Sequence, residues 1–392
     1  MEKLKLTFVN VGYGEAAVLE CPDPAFPGGT FVMVIDGGSA EAEEYRDSAT
    51  GRIPLDRYLS LRGVDHIDLM AVTHVHEDHL CGLLPVAEKL PPAALWQTLP
   101  PEFCRSMRPL DIPAEGLTPS RSKFLRALND YRRLCLGQSC PRHRPLAGME
   151  LRLCRDLSVR VLGPSRARAE TLASLCRALY EEADPSAFWQ RLDQLDAAMN
   201  NYSLILLLEY RGTRILLPGD TNRMGYGELD PAALRADLFK VGHHGQRDGI
   251  SAEQIQAIAP RAVVCCASSD RRYNSAEPGI LQMMADSGAR LYFSDCPPGP
   301  DGAVPPPHQA LTFTVGAGGT LEGTYLSIPD LVPGQIRHIR PLRHSTFCRW
   351  WDEKRRRTPA RLAVRQCGDL PQRRTGPGRP RGNSCGGTVS RA

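Results

Sequence analysis

The residues best equipped for chemistry sit together in Thr73-His74-Val75-His76-Glu77-Asp78-His79-Leu80. On an extended strand end the side-chain period is two, so His74 and His76 point the same way. If the chain then turns, Asp78 and His79 face a second position a few ångströms from the first. Imidazole and carboxylate are the ligands zinc favours, and manganese also accepts them. The spacing is not that of a helical HExxH metalloprotease site. A lone surface histidine would carry no such meaning, but four potential ligands in six residues behind an apolar stretch do.

The other polar motifs also close apolar runs. Asp36-Gly37-Gly38 follows Phe31 to Ile35, Gly219-Asp220 follows Arg214 to Leu217, and His243-His244 follows Leu238 to Val241. Each alone would pass for an ordinary turn. Their recurrence at strand ends gives them weight together. Gly12-Tyr13-Gly14-Glu15-Ala16-Ala17 echoes a dinucleotide fingerprint, yet the run to Pro22 is too short for the helix that fingerprint needs, and a hairpin is expected.

The elements that must position these groups follow from periodicity. Strands are expected over 4–11, 16–20, 31–35 and 66–72, with helical character near 40–62. A long interlude over 84–200 holds a helix over 120–136, a hairpin over 149–162, and helices over 167–183 and 185–199, the last opened by Asp184 and Pro185. Strands resume over 202–217, 238–241, 262–266 and 290–294, with helices over 252–258 and 278–285. Two strand-rich halves, each followed by helices, predict an α/β fold, a four-layer αββα sandwich with a helical insertion.

Charge divides the chain. Residues 333–392 hold fifteen basic and three acidic residues, whereas 1–332 hold 33 basic and 41 acidic. The body, 1–332, is therefore mildly acidic and reads as one domain; the tail is basic, lacks hydrophobic period and is expected to be disordered, with a possible contact to nucleic acid. The thirteen cysteines show no metal-ribbon or disulfide spacing. Apolar stretches such as Leu204 to Leu208 are far short of the ~20 residues of a membrane span. No membrane partner and a cytoplasmic location are expected.

The histidine motif resembles that of the metallo-β-lactamase superfamily. Val9-Asn10-Val11-Gly12-Tyr13-Gly14-Glu15-Ala16, Ile35-Asp36-Gly37-Gly38, Asn200-Asn201-Tyr202-Ser203, Leu217-Pro218-Gly219-Asp220 and Lys240-Val241-Gly242-His243-His244-Gly245 are similar, in order, to its ComEC-type competence branch, over about residues 4–296. The membrane-spanning parts of those proteins have no counterpart here. The resemblance implies two divalent ions, zinc first and manganese second. His74 and His76 would bind one, Asp78 and His79 the other, and Asp220 both. Asp36 would orient the histidine loop from behind, His243 would be a ligand, and His244 would face substrate as a proton donor. Glu277 stands where the branch carries a histidine before proline, so it is a candidate ligand or the mark of a weakened second site.

This set implies a hydroxide shared by two metals, with Asp78 holding it in line, and a metal-dependent phosphodiesterase or nuclease. The acidic body argues against a long nucleic-acid groove, which leaves Arg121–Arg133 and Asp270-Arg271-Arg272 as local phosphate contacts. A small phosphodiester therefore competes with nucleic acid as substrate. The alternatives are hydrolysis of carboxylic esters or lactones, and a metal-binding interaction module without turnover.

Overall fold

The computed structural model describes residues 3–46, 49–110 and 115–332. The basic tail, 333–392, lies outside the described residues.

Among the described residues, fifteen strands form two sheets. In chain order they are β1 (Leu4–Val9), β2 (Ala17–Pro22), β3 (Thr30–Ile35), β4 (Leu69–Ala71), β5 (Leu95–Trp96), β6 (Arg142–His143), β7 (Glu150–Cys154), β8 (Leu157–Gly163), β9 (Ile205–Tyr210), β10 (Thr213–Leu217), β11 (Leu238–Lys240), β12 (Ala262–Cys265), β13 (Arg290–Phe293), β14 (Ala310–Val315) and β15 (Leu321–Leu326). The first sheet runs β15-β14-β1-β2-β3-β4-β5-β6 and the second β13-β12-β11-β10-β9-β8-β7.

Three cores separate four layers. Leu4, Leu6 and Phe8 of β1 alternate toward the inter-sheet core, where they meet Leu206 and Leu208 of β9. One residue along, Ile205 and Leu207 face the opposite side and pack on the helices Ala252–Ile258 and Pro278–Asp286. Val18, Val34 and Met70 line the outer face of the first sheet, under the helices Leu55–Arg62, Pro119–Gly137 and Pro185–Met199. The period of two thus sends each strand's two faces into different cores. This is the expected αββα sandwich.

Residues 84–200 are woven into the body. They add β5 and β6 to one sheet and β7 and β8 to the other, and their helices cover the first sheet. Asp184 opens the helix Pro185–Met199 as read, its carboxylate accepting from Ala187 N at 2.8 Å. Within 40–62 helix is confined to a short 3₁₀ turn, Ala42–Tyr45, and Leu55–Arg62. The reading missed β14 and β15, although β14 alternates as clearly as β1 and pairs with it from Leu4–Val315 to Val9–Ala310. Among the described residues no helix is long and apolar enough to cross a membrane.

Candidate metal centre

All the polar motifs meet at one end of the sandwich, where strands of both sheets stop. β4 delivers His74, β3 ends at Asp36, β10 ends before Asp220, and β11 leads into His243-His244. Close backbone approach permits this. Gly14 has φ of 126°, and a Cβ there would lie 2.2 Å from the Asp78 carbonyl oxygen, so only glycine lets the Tyr13–Glu15 loop lean on the histidine turn. Glu15 N donates to that same carbonyl at 3.1 Å.

Each histidine spends one ring nitrogen on a fixed partner. His79 Nδ1 lies 2.7 Å from Asp36 Oδ2. Thr73 Oγ1 donates to Asp36 Oδ2 at 2.5 Å, so its lone pair accepts from His74 Nδ1 at 3.0 Å. His76 Nε2 lies 3.1 Å from Asp196 Oδ1. His244 Nδ1 donates to the Cys266 carbonyl at 2.7 Å. These partners place the proton on the outward nitrogen of each ring. The inward nitrogens converge: His74 Nε2 lies 3.1 Å from His76 Nδ1, and His79 Nε2 lies 3.2 Å from His244 Nε2. Nitrogens at that distance need a proton or a metal cation between them.

Carboxylates complete the arrangement. Asp220 Oδ2 is 2.8 Å from His244 Nε2 and 3.2 Å from His79 Nε2; Asp78 Oδ2 is 3.1 Å from His244 Nε2 and 3.8 Å from His79 Nε2. Donors ~2.0–2.2 Å from one tetrahedral ion lie roughly 3.3–3.6 Å from each other, so this donor set fits a divalent cation. Asp36 and Glu15 also lie within ligand distance of His79, but Asp36 is engaged by Thr73 and His79, and Glu15 by Lys240.

The charge balance points the same way. Asp36, Asp78, Asp220 and Glu15 face one ammonium, that of the fully buried Lys240, which donates to Asp220 Oδ1 at 3.0 Å and to the Gly219 carbonyl at 2.9 Å. Uncompensated buried charge is costly. Burial pushes the His244 imidazolium down, but Asp220 and Asp78 outweigh it and hold its pKa up at about 9. Against the same cost of burial, the same pair raises His79 well above its usual range. Asp78, despite burial, is held low by His79 and His244. The pocket demands positive charge.

The structure brings together six of the residues singled out in the sequence, His74, His76, Asp78, His79, Asp220 and His244, with Asp36 directly behind. Two of the expected ligands lie outside the cluster. His244, not His243, enters the cluster: with φ of 50° it turns its ring inward to full burial, while His243 stays at the rim of the cleft with Nδ1 2.8 Å from Asp248 Oδ1. Glu277 is not in the cluster. It caps the helix Pro278–Asp286, its carboxylate accepting from Ile280 N at 3.0 Å, and it lines a separate cavity with Arg247 and Asp248. Asn201 and Ser203 stay out of the cluster as well; Ser203 Oγ accepts from Asp220 N at 3.2 Å.

Asp196, Glu15 and Lys240 were missed. Lys240 had a signal, a charge inside the apolar strand Leu238-Phe239-Lys240-Val241. Asp196 had none, because an aspartate on the polar side of an amphipathic helix reads as a solvated face.

Above the cluster opens a cleft of about 350 Å³, lined among others by Tyr13, His76, Asp78, Lys123, Phe124, Asp196, Asp220, His243 and Tyr273. The arginines expected to bind phosphate are paired with carboxylates: Arg121 with Asp193, Arg126 with Glu41, Arg133 with Asp130, and Arg272, at the cleft, with Glu44 and Asp270.

Sandwich, strand-end motifs and histidine turn together define an αββα fold of the metallo-β-lactamase kind. No family model matches the chain. It is 23% identical over 300 residues to ComE operon protein 3 of Bacillus subtilis (strain 168), a match covering 74% of this chain and 32% of that protein, so the chain spans about a third of that relative's length. Among solved structures it is similar to Zn²⁺-bound PqqB from Methylobacterium extorquens, with 12% identity and a TM-score of 0.39 over 73% of this chain and 97% of that one. It is also similar to the short form of human tRNase Z, with 14% identity and a TM-score of 0.28 over 66% and 91% of the two chains.

Proposed function

We propose that this chain is a metal-dependent hydrolase of small phosphodiesters, working with two divalent cations, zinc or manganese. The observation that carries the reading is the set of four imidazoles, each tied down by its outer nitrogen, whose inner nitrogens converge with Asp78 and Asp220. Cations held there acidify water and stabilise charge developing on a phosphoryl oxygen.

The chain's own residues supply the rest. His74 and His76 would hold one cation and Asp78, His79 and His244 the other, with Asp220 available to both. The first has two histidines and a shared aspartate, the second a fuller set, so the second is the tighter. Asp36 and Asp196 fix ring orientation, as carboxylates behind metal-bound histidines do. Lys240, itself paired with Glu15, pins Asp220 from behind. His243, at the cleft rim with Asp248, would hand a proton to the departing alkoxide, the role expected of His244 from the resemblance.

The compact cleft and the committed arginines favour a small diester over a polymer. The test is turnover of bis-p-nitrophenyl phosphate by zinc- or manganese-supplemented protein. Turnover lost in Asp220→Asn supports the reading. A fully metallated protein inert toward this ester contradicts it.

A further inference from the structure

The walls of the cleft come from distant parts of the chain. The helix Pro119–Gly137 contributes Lys123 and Phe124, and the loop before Pro278 contributes Tyr273. Tyr273 is 55% exposed, although it stands beside a buried site. The backbone holds it there at a cost: Arg271, Tyr273, Asn274 and Ala276 all take positive φ, between 48° and 61°. Such strain persists where the surroundings over-determine it, and it concentrates at ligand sites.

Rings continue inward from it. Tyr13 meets Tyr273 edge-on at 5.0 Å and lies 4.7 Å from the His244 ring. Across the mouth Lys123 Nζ is 3.4 Å from Tyr273 Oη and 5.9 Å from its ring centre. Arg272 and His243 are paired with carboxylates. Among the described cationic residues lining the cleft, Lys123 is in no close ion pair, and Glu77 feels its charge only at longer range.

We propose that Tyr273 and Lys123 form a clamp that selects phosphate esters with one arm ending in a planar aromatic ring. The ring stacks on Tyr273, and the Lys123 ammonium, drawn off the tyrosine, meets the phosphate oxygens. An exposed ring face is sequence-tolerant and shape-selective, and a single mobile ammonium acts as a point charge for phosphate. An alkyl arm of equal charge gains only the second contact. The clamp rests on the phosphodiesterase reading for what happens to the ester, not for the ring.

The experiment is calorimetric titration of the zinc-supplemented full chain with phenylphosphonate and with methylphosphonate, which share the anion and differ in the ring. Base–aromatic stacking energies translate to a preference for the phenyl compound of about tenfold. Tyr273→Ala should cut that preference to about twofold, and Tyr273→Phe should keep it. Lys123→Met should weaken both ligands by a similar factor. Equal affinity of the two phosphonates in the wild type, or a preference that survives Tyr273→Ala, overturns the clamp. A Tyr273-dependent preference in a protein that turns over no diester overturns the hydrolase reading and leaves the clamp standing.

Discussion

At the scale of the residue, the decisive distinction is between neighbouring histidines. His244 faces the cluster and His243 faces Asp248, because both residues adopt left-handed backbone and the chain reverses between them. His244→Ala is expected to lose the tighter metal and all turnover. His243→Ala is expected to keep its metal and to lose ~10–100-fold in kcat, most with the poorest leaving groups, within the range of general-acid effects. Metal content measured beside a leaving-group series checks both. Loss of metal in His243→Ala, with metal kept in His244→Ala, would restore the assignment read from the sequence.

Much of this site was legible in residues 74–79, because ligands close in sequence on a strand end can meet only nearby. Which of two adjacent histidines turns inward was not legible, since that depends on backbone angles and on a ring partner, the carbonyl of Cys266, that lies far along the chain. The role of Asp196 was equally hidden. It reaches His76 across 120 residues of chain.

At the scale of the element, Glu277 is a helix cap. Glu277→Ala removes the acceptor for Ile280 N and is expected to cost about 1 kcal/mol of stability, with metal content and turnover unchanged. Chemical denaturation and a metal assay separate that outcome from loss of a ligand. A proline after the glutamate was the available signal, and it fits a helix start as well as a ligand motif.

Another element-scale feature is the tie of His66 to the first sheet. Its ring lies 2.8 Å from Asp65, 3.4 Å from Asp68 and 3.0 Å from the Thr30 carbonyl. Burial disfavours the imidazolium, but Asp68 and Asp65 outweigh it and raise the pKa to about 9. A raised folded-state pKa gives stability that is fully present below the unfolded value near ~6.5 and is lost as pH rises through about 9. Denaturation midpoints should therefore fall between those pH values by more in the wild type than in His66→Gln. Parallel curves would contradict the tie.

At the scale of the whole molecule, the cluster is a seam between two sheets. Asp36 and His74 to His79 come from the first sheet, Asp220 and His244 from the second. Cations bound at the seam should stabilise the folded chain by mass action, ~2.7 kcal/mol at a hundredfold excess over Kd. Scanning calorimetry should show Tm rising with zinc and falling with chelator, and a metal-independent Tm would contradict a site built across the seam. The sandwich itself was legible from strand alternation, because a half-buried strand shows its period locally. The placing of 84–200 was not. Two-residue strands such as β5 and β6 carry no period, and edge pairing is decided by distant partners.

The account turns on whether the six converging side chains hold metal. The most direct measurement is metal content by mass spectrometry after reconstitution of the purified chain with zinc or manganese. About two equivalents per chain, the stoichiometry of a two-metal hydrolytic site, are predicted, and the tighter one should be lost in His244→Ala. A wild-type chain that binds no divalent metal at either addition would contradict the account.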